Sequence, residues 1–93
     1  MFALVHKMEK EDIKGIVRQT LTEYLNQNGH RKTSERFAIL DAIYSIKGHF
    51  SMEELHAQLL DKEHFRVSRA TLYNTIELLL DAKLVIKHQF GNS

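Results

Sequence analysis

The stretch Val67-Ser68-Arg69-Ala70-Thr71-Leu72-Tyr73-Asn74-Thr75-Ile76-Glu77-Leu78-Leu79-Leu80-Asp81-Ala82 decides how the chain folds. Leu72, Ile76, Leu79 and Leu80 recur at three-and-four spacing, and Ser68 stands where an N-cap hydroxyl can accept a first-turn backbone N–H. The spacing predicts a helix from Ser68 to about Ala82 with one apolar stripe. If that stripe faces a core, Arg69, Tyr73, Asn74 and Glu77 project outward, Tyr73 and Asn74 lying about 100° and 200° round from Leu72. A tyrosine beside an asparagine and an arginine is unusual for a surface that only meets water.

Downstream the period changes. Leu84-Val85-Ile86-Lys87-His88-Gln89-Phe90 is β-branched and aromatic and runs into Gly91-Asn92, which reads as a strand entering a hairpin turn. The returning strand has no residues left before Ser93, so the sheet is expected to be incomplete and the chain truncated. Upstream, Ile13, Ile16, Val17, Thr20, Leu21, Tyr24 and Leu25 form the apolar stripe of a first helix over residues 10–28, ended by Gly29. Thr33 or Ser34 caps a second helix whose buried face is Phe37, Leu40, Ile43 and Tyr44 and which continues to Lys47-Gly48. Ser51 and Glu54 form a capping box for a third helix with Leu55, Leu59 and Leu60 inward, and residues 61–66 connect it to the fourth.

Helix, helix, helix, helix, strand is the plan of a winged helix-turn-helix preceded by an extra N-terminal helix, a mainly α fold with a small β wing. The chain has 93 residues, enough for one apolar core, and it has no proline, repeat or low-complexity linker. A single domain over residues 1–93 is therefore expected.

The chain has no cysteine, which excludes disulfides, thiol nucleophiles and thiolate metal sites built from it alone. No apolar run approaches the ~20 residues of a membrane span, and the first residues are too short for a signal peptide, so a cytoplasmic location is expected and no membrane partner. Neither a phosphate-cradling glycine loop nor a nucleophile elbow, metalloprotease signature or acid/base carboxylate pair is present, so no enzyme is read here.

Net charge is only +1, so its distribution matters more. Residues 1–32 carry six Lys/Arg against four Asp/Glu, residues 33–64 three against six, and residues 65–93 four against two. An acidic middle thus hides two mildly basic ends. In a helix-turn-helix the second helix of the motif enters the major groove, which makes the fourth helix the candidate reader. Asn74 suits an adenine edge, Tyr73 a phosphate or thymine methyl, and Arg69 and Thr71 phosphates near the helix start. Spacing equally allows Tyr73 to pack half-buried against a neighbour. The segment Gly29-His30-Arg31-Lys32-Thr33-Ser34-Glu35-Arg36 is the densest positive cluster and reads either as a DNA-backbone contact or as a solvated turn. The six histidines lack the i, i+4 pairing of a helical metal site; His49 equally fits the C-terminal dipole of the second helix, and His56 a core edge.

Three stretches in order carry a family resemblance: Arg31-Lys32-Thr33-Ser34-Glu35-Arg36-Phe37-Ala38-Ile39-Leu40, His49-Phe50-Ser51-Met52-Glu53-Glu54-Leu55-His56, and Val67-Ser68-Arg69-Ala70-Thr71-Leu72-Tyr73. They resemble the R-x-T-x-x-R-x-x-I-L, H-x-S-x-E-E/D-L/I-Y and S-x-A-T-V-Y runs of the ferric uptake regulator (Fur) family, from about Gly29 onward. The resemblance implies the DNA-binding domain of a metal-responsive dimeric repressor that binds A/T-rich inverted repeats. It matches Tyr73 to a base-contacting tyrosine, Arg31 to a basic residue approaching the minor groove, and His49 to a ligand lent to a regulatory metal site.

The DNA-binding set is then Arg31, Lys32, Thr33, Arg36, Ser68, Arg69, Thr71, Tyr73 and Asn74. Asn74 stands where the iron-responsive branch usually has Arg, and His56 replaces the usual tyrosine, which leaves operator and signal open. Family members continue into a second wing strand and a C-terminal metal-binding dimerisation domain. This chain is expected to be the DNA-binding half without a cofactor of its own, His49 acting only in the intact protein with a divalent metal such as iron, zinc or manganese. A winged helix that binds another protein through the fourth helix is the competing reading.

Overall fold

A computed structural model describes residues 2–4, 12–46, 48–62 and 64–87. In chain order these form β1 (Phe2–Leu4), α1 (Asp12–Gln27), α2 (Ser34–Ile43), α3 (Met52–Asp61), α4 (Arg69–Asp81) and β2 (Val85–Lys87). The four helices and small antiparallel sheet are those of a winged helix-turn-helix, with α3 and α4 as the motif and α1 as the extra helix.

α1 buries Val17, Leu21 and Leu25. Ile16, expected on the same stripe, is 52 % exposed, because the buried line along α1 is narrow and Ile16 falls beyond its edge. The helix ends as the glycine predicts. Gly29 takes a φ of +70°, the His30 N–H reaches back to the Leu25 carbonyl at 2.9 Å and the Gly29 N–H to that of Asn26 at 3.4 Å. That double bond pattern is a Schellman motif.

α2 is capped by Thr33, whose hydroxyl oxygen accepts the Arg36 N–H at 3.2 Å. It stops at Ile43, short of the expected Lys47-Gly48. Ser45 and Ile46 donate to carbonyls only three residues back, so the chain tightens out of the α-helix before Gly48 turns it with a φ of +83°. Tyr44 is fully buried there, and its hydroxyl donates to the Leu84 carbonyl at 2.9 Å, tying the end of α2 to the approach to β2.

α3 has the predicted capping box: the Ser51 N–H donates to the Glu54 carboxylate at 2.7 Å, and the Glu54 N–H to the Ser51 hydroxyl at 3.1 Å. Met52, Leu55 and Leu59 are buried, whereas Leu60, expected inward, is 43 % exposed because the buried face runs through its neighbour Leu59. α4 begins at Ser68, whose hydroxyl oxygen accepts the Thr71 N–H. It ends in a second Schellman motif, with Lys83 donating to Leu80 and Leu84 to Leu79. The left-handed position is taken by Lys83 itself, at φ +65°.

The sheet holds an element the sequence did not announce. β1 pairs antiparallel with β2, placing Phe2 opposite Lys87, Ala3 opposite Ile86 and Leu4 opposite Val85. Phe2 also bridges Phe50 on its other side. A three-residue strand is too short to display a period, which is why the N-terminal apolar run gave no signal. The expected strand over residues 84–90 is found from Val85 to Lys87, with Leu84 a buried bend before it; residues 88–90, the turn at Gly91-Asn92 and His6 lie outside the described residues. One core gathers side chains from all four helices and β2, with Leu21, Leu25, Ile39, Leu40, Ile43, Leu55, Leu59, Leu72, Ile76 and Leu79 fully enclosed. At ~25 cal/mol per Å² of apolar surface, such burial is the main force that sets α4 in place.

Candidate nucleic-acid interface

α4 divides cleanly into two faces. Leu72, Thr75, Ile76, Leu78 and Leu79 are buried, while Arg69, Asn74 and Glu77 are exposed and Tyr73 keeps 49 % of its surface open. The outward quartet expected from the spacing is therefore the quartet that faces out, because a 3.6-residue period leaves those positions no other side. Thr75 is the exception in kind: it is polar yet 2 % exposed, on the apolar side of the helix.

Ser68 and Thr71 sit at the start of α4. Beyond the N-cap bond, the Ser68 hydroxyl donates to the Thr71 hydroxyl at 3.0 Å. Both therefore shape the N-terminus of α4, where unpaired N–H groups and the helix dipole favour an anion such as phosphate.

The segment leading into α2 leaves Arg31 and Lys32 exposed, with Thr33 and Arg36 half-buried. Thr33 is committed to capping, and the Arg36 guanidinium donates to the Arg31 carbonyl. Arg36 thus braces the backbone that presents Arg31. The same Arg36 lines an open groove with Tyr24, His30, Asn74, Glu77, Leu78 and Asp81. The groove brings the basic segment alongside α4 at Asn74, and its walls carry both signs of charge.

Tyr24 and Asp81, both lining the groove, had no functional reading in the sequence. The Tyr24 hydroxyl donates to the Asp81 carboxylate, and the Tyr24 ring stacks on His30 with centroids 6.1 Å apart and planes 15° from parallel. The hydrogen bond to Asp81, partial burial and the negative charge of Asp81 together push the Tyr24 phenol above its ordinary value of 10.0. Tyr24 reads in sequence as one more apolar-stripe residue, and nothing local pairs it with a residue 57 positions away. On the far side of α1, Arg18 bonds Asp41 at 2.7 Å and lies over the Phe37 ring, 4.8 Å from its centroid.

His49 is exposed, between the positive-φ Gly48 and the bridged Phe50. No group of three or more His, Cys, Asp or Glu among the described residues is arranged to hold a metal ion. The described residues alone thus do not build a metal centre around His49. His56 takes the core-edge role: its Nε2 lies 3.2 Å from the Val67 carbonyl, fastening α3 to the segment before α4.

The profile of the Ferric uptake regulator family matches residues 27–93. The chain belongs to the ferric uptake regulator family. Among curated relatives it is 31 % identical over 74 residues to the ferric uptake regulation protein of Rhizobium leguminosarum bv. viciae, covering 80 % of this chain and 51 % of that one. It is 28 % identical over 79 residues to that of Campylobacter jejuni subsp. jejuni, covering 84 % and 50 %. The chain spans about half the length of these relatives. No solved structure matches it significantly. The family match runs from the end of α1 through α4 and β2, so both halves of the candidate interface fall inside it. Among the described residues no helix of this Fur-family chain is long and apolar enough to cross a membrane.

Proposed function

We propose that this chain is the sequence-specific DNA-binding module of a Fur-like, metal-responsive transcriptional repressor. The observation that carries the reading is α4: its core side is wholly engaged, while Arg69, Tyr73, Asn74 and Glu77 stand free on the opposite side. In this reading α4 enters the major groove. Tyr73 and Asn74 meet base edges, Arg69, Ser68 and Thr71 meet phosphates at the helix start, and Arg31 and Lys32 reach the flanking backbone with Thr33 and Arg36 shaping their segment. The target is an A/T-rich inverted repeat, read by a homodimer of the whole protein whose two copies of α4 are set about one helical turn, ~34–36 Å, apart. His49 lends one ligand to a divalent metal (iron, zinc or manganese) held mainly by residues outside this chain, and the protein works in the cytoplasm without catalysing a reaction. A single module is expected to bind weakly, since the linked second site is what raises affinity.

The test is an NMR titration of the labelled chain with a short A/T-rich inverted-repeat duplex and a scrambled control at two salt concentrations. Salt-sensitive shifts clustered on residues 68–77 and 31–36 support the reading. Absence of shifts with either duplex at low salt rejects it in favour of a protein-binding winged helix, whose apolar interface responds little to salt.

A further inference from the structure

The groove beside α4 takes its lining from both halves of the proposed interface. Asn74, Glu77 and Asp81 come from α4, while His30 and Arg36 bracket the segment that presents Arg31 and Lys32. With α4 in the major groove and Arg31 and Lys32 on the flanking backbone, the sugar-phosphate strand between those two contacts passes over this groove.

The charge of the groove turns on one proton. Arg36 gives one guanidinium N–H to the Arg31 carbonyl and adds its positive charge from that bracing position. Against it stand Glu77 and Asp81, one turn apart on α4. Asp81 accepts the Tyr24 hydroxyl, whereas Glu77 has no hydrogen-bond or ion-pair partner among the described residues. With His30 neutral the groove therefore holds one cation against two anions, and with His30 protonated the signs balance.

His30 is fixed in place for such a role. Its N–H closes the Schellman motif on the Leu25 carbonyl at 2.9 Å, and its ring stacks on that of Tyr24, which Asp81 holds in turn. The side chain is exposed, so a proton can reach it, and an imidazolium gains from the face of a tyrosine ring. The groups around it come from every neighbouring element: Tyr24 of α1, Arg36 of α2, Glu77 and Asp81 of α4, and Arg31 next in the chain.

Resting on the DNA-binding reading above, we infer that the groove is a subsite for one phosphodiester of the DNA backbone, contacted by the imidazolium of His30 beside Arg36. DNA binding then takes up a proton at His30. The sign follows from the charges: a neutral His30 leaves the groove net negative and repels phosphate, and a protonated one removes that repulsion. Affinity rises as pH falls, by at most about tenfold per pH unit for each groove engaged.

The test titrates the labelled chain with the A/T-rich duplex and with the scrambled control at fixed salt, at about pH 6 and about pH 8, the range in which imidazole side chains change charge. The His30 ring signal is followed against pH with and without duplex. A backbone contact carries no sequence information, so both duplexes should show the effect. Affinity should rise about tenfold from the higher pH to the lower. His30→Gln should remove most of that rise, which separates His30 from the other histidines, and the native His30 ring should titrate at higher pH in the complex. Glu77→Gln should bind both duplexes more tightly at the higher pH, the opposite of what loss of a contact does.

Shifts on residues 68–77 and 31–36 with a pH profile that His30→Gln leaves intact overturn the subsite while the DNA-binding reading stands. The ring titration of the native chain decides independently of any variant: a His30 ring unmoved by either bound duplex also overturns the subsite. No shifts with either duplex at either pH reject the subsite and the DNA-binding reading together.

Discussion

The Tyr24 hydroxyl donates to the carboxylate of Asp81, joining the last turn of α1 to the final residue of α4. Both residues line the groove that Arg36 and Asn74 also line, so the bond ties α4 to the helix that precedes the basic segment.

The pH dependence of this bond has a definite sign. The phenol's value is raised above 10.0 in the folded protein, first by the hydrogen bond to Asp81, then by burial and by the carboxylate's charge. The stabilisation is therefore complete below the unfolded value and is lost as pH rises through the higher folded one. Urea midpoints of the native chain and Tyr24→Phe, followed from pH 8 to pH 12, should differ by a constant amount up to about 10 and converge above it. A gap that persists at the alkaline end would assign the effect to packing instead.

Lys83 sits in the left-handed region at φ +65°, where a Cβ is strained. Lys83→Gly removes that strain at the cost of a more flexible unfolded chain, and should stabilise by about 0.5–1 kcal/mol. The converse change at the other Schellman motif, Gly29→Ala at φ +70°, should destabilise by about 1 kcal/mol. Chemical denaturation of both variants checks the pair, and the expectation fails if both move stability the same way.

Tyr73→Ala should abolish discrimination between the A/T-rich duplex and its scrambled control while changing stability by no more than about 0.5 kcal/mol, since the ring is half open and outside the core. A loss of several kcal/mol on thermal unfolding would mark the side chain as structural and remove it from the interface.

Arg31 and Lys32 are exposed and contribute charge alone, whereas Arg36 holds the Arg31 carbonyl. Replacing Arg31 and Lys32 together by Ala should lower the slope of log affinity against log salt by about two and weaken both duplexes alike. Arg36→Ala should act through the backbone instead: NMR shifts spread over residues 30–33 in the free protein before any DNA is added. If the free-protein spectrum at those residues is unchanged, Arg36 is not the brace described above.

Most of the fold was legible because its helices announce themselves twice, by period and by cap. Thr33, Ser51 and Ser68 each cap the helix that the apolar spacing places after them. Where both signals were weak, reading failed. α2 lacks a stop residue between Ile43 and Gly48, and its end is set by the buried Tyr44 reaching Leu84, a contact 40 residues apart. Ile16 and Leu60 have the right residue type on the wrong side of a narrow buried line. The outward face of α4 followed from arithmetic on one helix, but the groove depends on Tyr24, Arg36 and Asp81 arriving from three helices, which no local pattern encodes.

The strict division of α4 has a consequence for descent. Leu72, Ile76 and Leu79 answer only to the core, and Tyr73, Asn74 and Glu77 only to whatever lies outside it, although the two sets interleave residue by residue. Drift at the outer set is not filtered by foldability, so under the proposed DNA-reading role a lineage can retarget this helix through single substitutions, each intermediate remaining a sound protein.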